Sequence, residues 1–463
     1  MKKFLSAAAF LLVLLFCINL LYQPLSWKET TGGYVSNVQQ LHATGENLID
    51  LAFVGSSHIY CTVNPAILWN QRGIAAFDLS VSAMDKVSTK YFLREFFKTQ
   101  SPQVICLDLY ALLFDRQLMQ GNEYINYLAL PPSLLSLACV LEYQPEDLTS
   151  YLTRFPIIHT RYQELTAFDF AQYQPSIFGR GYYYDFSIQP NSMQSEAVGH
   201  NDMTPLSEQN QAFLDAVIDL CQEHNCQLIT AVMPFPITAK EQSIVNGAKA
   251  YLAERNIECI DMNYNADQYP IDYDSDFFES THLNYYGSTK ATLYLMDQLC
   301  DRYNFADHRG DSAYYLWNEN SLYDAYQVQR DALKKLDSVD PAAVLETIGT
   351  LPGFTSIVTI PASVDINALD GALRQLLIQA GIPEDALVSG TQWVLSSGQC
   401  LGTVSVDQAP IFIDLNPIHT LALNQDKAQS VKLSGTLCEQ RTDQLSVILY
   451  DNYEACILLH APL

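Results

Sequence analysis

The sequence predicts a three-layer α/β fold around a five-stranded parallel sheet, followed by a small α+β domain. Three observations predict it. Up to about residue 305, short apolar runs alternate with helical patterns. The runs are apolar throughout rather than alternately polar, as strands covered on both faces are. Beyond Asn304 the pattern changes to closely spaced strand-like runs with hairpin turns.

The strand-like runs are Leu51 to Gly55, Ala75 to Ser80, Val104 to Leu109, Gln227 to Met233 and Glu258 to Met262. Between or after them lie the helical stretches Lys86 to Lys98, Ser207 to His224, Ala239 to Arg255 and Tyr285 to Tyr303. Strand and helix alternation of this kind gives a parallel sheet with helices on both faces, and five strands fit a flavodoxin-like order. Residues 111–206 exceed a simple crossover and are expected to form an insertion, partly helical, over the sheet edge. Its tyrosine-rich pieces, such as Gly181-Tyr182-Tyr183-Tyr184-Asp185, read first as packing residues and second as a carbohydrate site.

Residues 306–345 form a predicted helical connector, with charges grouped at Asp331, Lys334, Lys335 and Asp337. Residues 346–463 make the α+β domain. Its strand-like runs are Thr355 to Pro361, Gln392 to Val406, Ile411 to Asp414, Ser430 to Cys438 and Leu445 to Leu458, with a helix over Asn367 to Ala380. Ser397-Gly398 and Asp451-Asn452 supply its hairpin turns. It carries no catalytic constellation, which leaves an accessory role such as docking on a partner or polymer.

At the other end, Lys2 and Lys3 precede an uncharged, mostly apolar run from Phe4 to Tyr22, about the ~20 residues a spanning helix needs. No small residues offer a cleavage site near Phe16 to Leu21, so residues 1–26 are expected to be an uncleaved signal anchor and transmembrane helix. Residues 27–48 would be a polar tether. The two lysines then stay inside and the bulk of the chain lies outside a cell membrane, held by a single pass.

Charge narrows the partners. With 51 acidic against 25 basic side chains, the net charge of -26 repels a phosphate backbone, so nucleic acid is excluded as a partner. Hydrophobic residues make up 49% and charged ones 16% of the 463, a globular composition. Cys106, Cys226 and Cys259 fall in or beside strand-like runs and read as small core residues, while a Cys438 to Cys456 pair stays open. Cys221-Gln222-Glu223-His224-Asn225-Cys226 has metal-like spacing, but no second cluster completes four ligands, and a helix end running into a strand explains it. No cofactor and no metal are expected.

Two segments carry chemistry. Val54-Gly55-Ser56-Ser57-His58 ends the first strand, which puts a hydroxyl at the carboxyl edge of the sheet, where α/β proteins bind their ligands. Asn64-Pro65 then offers a helix cap and first turn. The second segment, Asp276 to Asn284, follows the fifth strand and reaches the same edge. A serine nucleophile needs a base, and the base needs an acceptor to fix its tautomer. Ser57, His282 and Glu279 supply that relay, with Asp276 as the rival acceptor.

Gly55-Ser56-Ser57-His58 resembles the Gly-Asp-Ser block of SGNH (GDSL) hydrolases, in a variant with a hydroxyl residue in place of Asp. Glu279-Ser280-Thr281-His282-Leu283-Asn284, with Gly287, is similar to that family's Asp-x-x-His block, as found in its membrane-anchored cell-envelope acyltransferase branch, which includes D-alanyl transfer and polysaccharide O-acetylation. The resemblance covers residues 49–305 and implies that Ser57 is the nucleophile, His282 the base and Glu279 the counterpart of the family's Asp. Three positions depart from the pattern. Glu279 is a methylene longer than Asp, Phe77-Asp78-Leu79-Ser80 has serine where the second block has glycine, and no asparagine follows Leu107-Asp108-Leu109-Tyr110. His58 or a residue of the insertion is left to supply the missing oxyanion donor.

The expectation is serine-dependent acyl transfer or ester hydrolysis on a cell-surface polysaccharide or acylated glycan, with a membrane partner delivering the acyl donor if the reaction is a transfer. The rival is a noncatalytic envelope protein that keeps the fold to bind glycan or a membrane partner. Metal-dependent hydrolysis ranks last, for want of a ligand cluster.

Overall fold

The computed structural model describes residues 34–114, 178–335, 353–416, 429–439 and 443–462 continuously, with shorter pieces between 9 and 25, between 126 and 165, at 344–345 and at 419–424. The expected anchor, residues 1–26, lies largely outside the described residues, as does much of the expected insertion. Among the described residues no helix is long and apolar enough to cross a membrane. The chain divides into two compact units, the first running to Ser321 and the second from Leu322 onward.

In chain order, the first unit contains α1 (Tyr34–Ala43), β1 (Leu51–Gly55), α2 (Ser57–Tyr60), α3 (Pro65–Arg72), β2 (Ala76–Ser80), α4 (Lys86–Phe96), β3 (Val104–Asp108), α5 (Leu134–Tyr143), α6 (Glu208–Glu223), β4 (Gln227–Val232), α7 (Ala239–Ala253), β5 (Cys259–Asp261) and α8 (Tyr285–Cys300). The five strands pair in parallel in the order β2-β1-β3-β4-β5. That is the flavodoxin-like order expected from the alternation.

Side-chain alternation along the strands divides the core into two layers. Ala52, Val54, Phe77, Leu79, Ile105 and Leu107 point to one face and pack with residues of α4, α6 and α7 such as Phe92, Phe213 and Val245. Leu51, Phe53, Ala76, Val104, Cys106 and Ile229 point to the other, against Leu68 of α3 and Leu295 and Leu299 of α8. The strands are therefore buried on both sides, which is why their sequences read as unbroken apolar runs.

Local signals set the helix starts. Asp85 and Ser88 form a capping box at α4, Thr238 and Glu241 form one at α7, and Asn64 with Pro65 opens α3 as its sequence predicts. The Cys221 to Cys226 segment folds as a helix end running into β4: Asn225 is left-handed at φ 55°, the Cys226 N–H bonds the Cys221 carbonyl at 3.0 Å, and His224 stacks on Phe97. All eleven cysteines are free.

One feature differs from the sequence reading. Residues expected in the polar tether form α1, because Asn37 satisfies the outer carbonyls of edge strand β2, donating to Asp78 O and Ser80 O at 2.7 Å each. Within the expected insertion α5 is helical, while its described end, residues 178–206, contains no helix and runs as an irregular strap. Its backbone bonds Tyr60 O through Tyr183, Phe277 O through Gln189 and Tyr273 O through Asn191, so it is laced to the carboxyl edge of the sheet.

Helix α9 (Tyr315–Lys334) begins in the first unit, where Trp317 is fully buried and donates to Ala76 O at 3.0 Å. The second unit adds β6 (Phe354–Ile360), α10 (Gly371–Gln379), β7 (Thr391–Ser396), β8 (Gln399–Ser405), β9 (Ile411–Asp414), β10 (Thr420–Leu423), β11 (Val431–Leu433), β12 (Thr436–Glu439), β13 (Ser446–Asp451) and β14 (Cys456–Pro462). Two antiparallel sheets, β14-β13-β6-β7-β8 and β12-β11-β10-β9, share a core of residues such as Ile357, Val394, Leu421 and Ile448. The β7–β8 turn has Ser397 and Gly398 both left-handed, the geometry a two-residue hairpin loop needs.

Gly55 closes β1 at a point where a Cβ would lie 2.8 Å from both Asp108 Cβ and Ile59 Cγ1. Gly55→Ala is expected to force β1 and β3 apart and destabilise the fold by about 1–3 kcal/mol. Urea unfolding checks this, and an unchanged midpoint would show that the contact relaxes freely.

Candidate active site

Ser57 opens the short helix α2 directly after β1, so its side chain stands at the carboxyl edge of the sheet. His282 lies on the loop between β5 and α8. The structure brings the two together over 225 residues of sequence: Ser57 Oγ donates to His282 Nε2 at 2.6 Å. On the other side of the ring, His282 Nδ1 bonds Glu279 Oε1, which also accepts the Thr281 hydroxyl at 2.8 Å. The rival acceptor Asp276 is turned away. Its carboxylate binds Lys290 Nζ at 2.9 and 2.7 Å and accepts the Asp272 N–H at 2.6 Å.

The loop that carries His282 is held from within. Asn284 Nδ2 donates to Ser187 O at 3.0 Å and Ser275 O at 2.8 Å, while its Oδ1 caps α8 by accepting from the Tyr286 and Gly287 N–H groups. Gly287 lets α8 pass close to the loop, since a Cβ there would lie 2.4 Å from Asp276 O. From α8, Ser288 and Thr292 each donate to Thr62 O at 3.0 Å, and the Asn64 N–H donates to Thr292 Oγ1. These bonds fix the base-bearing loop to the turn that carries the nucleophile.

Electrostatics suit a base. Burial lowers the His282 pKa below the ordinary imidazole value, and the Glu279 contact raises it only part of the way back. Burial works on Glu279 in the opposite sense, but its bonds from His282 and Thr281 outweigh it and hold the carboxyl below its usual range. At neutral pH the pair is a neutral imidazole beside a carboxylate, the state in which Nε2 can accept a proton.

No family model matches this sequence, and no curated protein is similar to it at a significant level. The site therefore rests on its own geometry.

His58, the residue after the nucleophile, is buried between Tyr110 and Phe235, with ring centroids at 3.7 and 4.8 Å, and meets the His282 ring at 5.1 Å. Neither of its ring nitrogens has a hydrogen-bond partner among the described residues. Burial, and then the nearby His282, push its pKa well below the ordinary value, so it is uncharged. Tyr110 lies in the short turn, Leu109–Leu112, that follows β3.

Two carboxyl groups under the site were not singled out from sequence. Asp78, in the middle of β2, and Asp108, the last residue of β3, are fully buried, and none of their side-chain oxygens makes a well-formed hydrogen bond among the described residues. An acidic residue inside an apolar run, as in Val104-Ile105-Cys106-Leu107-Asp108, was the available signal. Burial raises the Asp108 pKa to about 7, opposed by the nearby backbone N–H groups of Met233, Tyr110 and Leu109. Among the described residues no cluster of three or more His, Cys, Asp or Glu could hold a metal ion.

Two pH effects follow. The rate at which a fluorophosphonate reacts with Ser57 is expected to rise with pH through a midpoint below 6.5; Glu279→Ala, which removes the group that raises the His282 pKa, should move that midpoint lower and slow the reaction. A midpoint that stays put in Glu279→Ala would remove Glu279 from the relay. Asp108 acts on stability. Its folded pKa lies above the unfolded value, so the native state holds the extra proton and loses stability as pH rises from about 4 to about 7. Asp108→Asn is expected to flatten that part of the curve, raising stability relative to the parent at pH 8, as measured by urea unfolding at both ends of the range.

Proposed function

We propose that this protein is a serine esterase or O-acyltransferase that acts on a cell-surface polysaccharide or another acylated envelope polymer. The observation that carries the reading is the continuous chain from Ser57 Oγ through His282 to Glu279, at the carboxyl edge of a parallel sheet. The resemblance of the segments around Ser57 and His282 to the SGNH hydrolases supports it, as does the position of Ser57 after β1 and of His282 before the last helix of the sheet.

In this reading His282 Nε2 takes the Ser57 proton as Oγ attacks the ester carbonyl. Glu279 holds the Nδ1 proton and offsets the charge that develops on the ring. His282 then returns the proton to the leaving alkoxide, which departs as an alcohol and leaves an acyl group on Ser57. In the second half a water or a sugar hydroxyl gives its proton to His282 and attacks the acyl-enzyme, and His282 passes that proton to Ser57 Oγ as the ester bond to Ser57 breaks. Hydrolysis and transfer differ only in that acceptor. The expected anchor at residues 1–26 would hold this chemistry at the outer face of a membrane, and the second unit would dock on a partner or polymer.

A noncatalytic protein of the same fold has no need of a serine bonded to a half-buried, neutral imidazole, so the relay favours the enzyme over the binding protein. Fluorophosphonate labelling of the full chain tests it. Ser57→Ala should abolish labelling and reduce hydrolysis of a simple aryl acetate by at least about 10³-fold. Labelling that persists in Ser57→Ala, or a native chain that never labels, would refute the assignment.

A further inference from the structure

We propose that Cys221 and Cys226 form a thiol–disulfide exchange site at the amino edge of the sheet, which takes a small-molecule disulfide as its co-reactant. The site lies away from Ser57, because Cys226 immediately precedes β4 whereas the relay stands at the carboxyl edge. It is independent of the esterase reading.

The turn that ends α6 brings the two residues together. Helix α6 stops at Glu223 and Asn225 is left-handed at φ 55°; the Cys226 N–H bonds Cys221 O at 3.0 Å and the Asn225 N–H bonds Gln222 O at 3.1 Å. This pair of bonds is the Schellman closure, in which the side chains at the two ends of the longer loop commonly pack on each other. Here both are cysteines. Cys226 Sγ lies 3.5 Å from Cys221 O, so the second thiol is folded back over the first residue.

A cavity of about 670 Å³ reaches both residues. Cys221, Cys226, Leu228 and Ile257 line it, and the exposed Asp219 and Gln222 stand at its rim. Cys221 and Cys226 are only 2% and 8% exposed, so the cavity is the way in for a small reagent. Among the described residues no third His, Cys, Asp or Glu joins the pair as a metal site, which favours exchange over metal binding.

Cys226 is the nucleophile. Burial pushes the thiols of Cys61, Cys106 and Cys139 above their usual range. Cys226 goes the other way, because the Cys221 thiol beside it holds its pKa below the usual value; contact with Cys226, added to burial, raises Cys221. A thiolate is the attacking species in exchange. Cys226 Sγ attacks one sulfur of a disulfide R–S–S–R, forming a mixed disulfide as the R–S–S–R bond breaks and one thiolate leaves. Cys221 Sγ then attacks Cys226 Sγ, displaces the second thiolate and closes the internal disulfide. Two protein thiols are oxidised and one small disulfide is reduced, and the two protons lost by the cysteines end on the two released thiols.

The test treats the reduced full chain with hydroxyethyl disulfide, an uncharged probe, at neutral pH, then alkylates the remaining thiols and maps every cysteine by peptide mass spectrometry. A Cys221–Cys226 disulfide is expected to form at least about tenfold faster than any modification of buried Cys106. In Cys221→Ala the reaction should stop with the hydroxyethylthio group on Cys226, and in Cys226→Ala the remaining Cys221 should react at least about tenfold more slowly than Cys226 does in the parent. An unmodified Cys106 shows that each variant is folded, and the parent chain decides the matter without them. Cys221 and Cys226 staying as free thiols in the parent, or carrying separate mixed disulfides with no link between them, would overturn the proposal. So would Cys226→Ala reacting at Cys221 as fast as the parent reacts at Cys226.

Discussion

The active arrangement depends on one clamp, the set of hydrogen bonds between helix α8 and the turn after β1. Ser288 and Thr292 both donate to the Thr62 carbonyl, and Asn64 donates back to Thr292. Each bond contributes only about 0.5–1.5 kcal/mol net, but all three are buried, and losing one partner would leave a polar group unpaired. With α8 fixed against the nucleophile turn, Asn284 at its cap fixes the loop, and the loop fixes His282. These contacts hold the segments that carry Ser57 and His282 within hydrogen-bond reach of each other. Gly287 is small for the same reason, since α8 and the Asp276 loop could not otherwise approach.

Several polar groups of the first unit are deeply buried. His58, Asp78 and Asp108 are buried without well-formed hydrogen bonds among the described residues, and buried groups of this kind normally find partners. The protein carries them in uncharged or partly uncharged form, because burial raises the acids and lowers the imidazole. The same low dielectric depresses the His282 pKa and strengthens its bond to Glu279. Glu279, which bonds His282, keeps 42% of its side chain exposed.

The division of labour along the chain reflects the same geometry. Strands β1 to β5 and their covering helices form a scaffold whose interior is apolar on both faces. The candidate relay lies at the carboxyl edge, where the turn after β1, the loop before α8 and the strap meet. The strap has no regular structure of its own, yet its backbone bonds tie it to Tyr60, Phe277 and Tyr273, so it behaves as part of the site wall.

The five strands, their helical partners and the positions of Ser57 and His282 were legible in the sequence. Burial on both faces demands unbroken apolar runs such as Leu51 to Gly55, and helix caps such as Asn64-Pro65 act locally. The choice of Glu279 over Asp276 was not legible, because both lie within reach on the same loop and only Lys290, a turn into α8, draws Asp276 away. Nor was helix α1, whose reason for folding is the open edge of β2. Sequence alone determined the elements and the residues able to do chemistry, since those depend on local periodicity and residue type. Tertiary structure decided which carboxylate faces the imidazole and that residues 34–43 fold against β2, because those outcomes depend on contacts between separate segments of the chain.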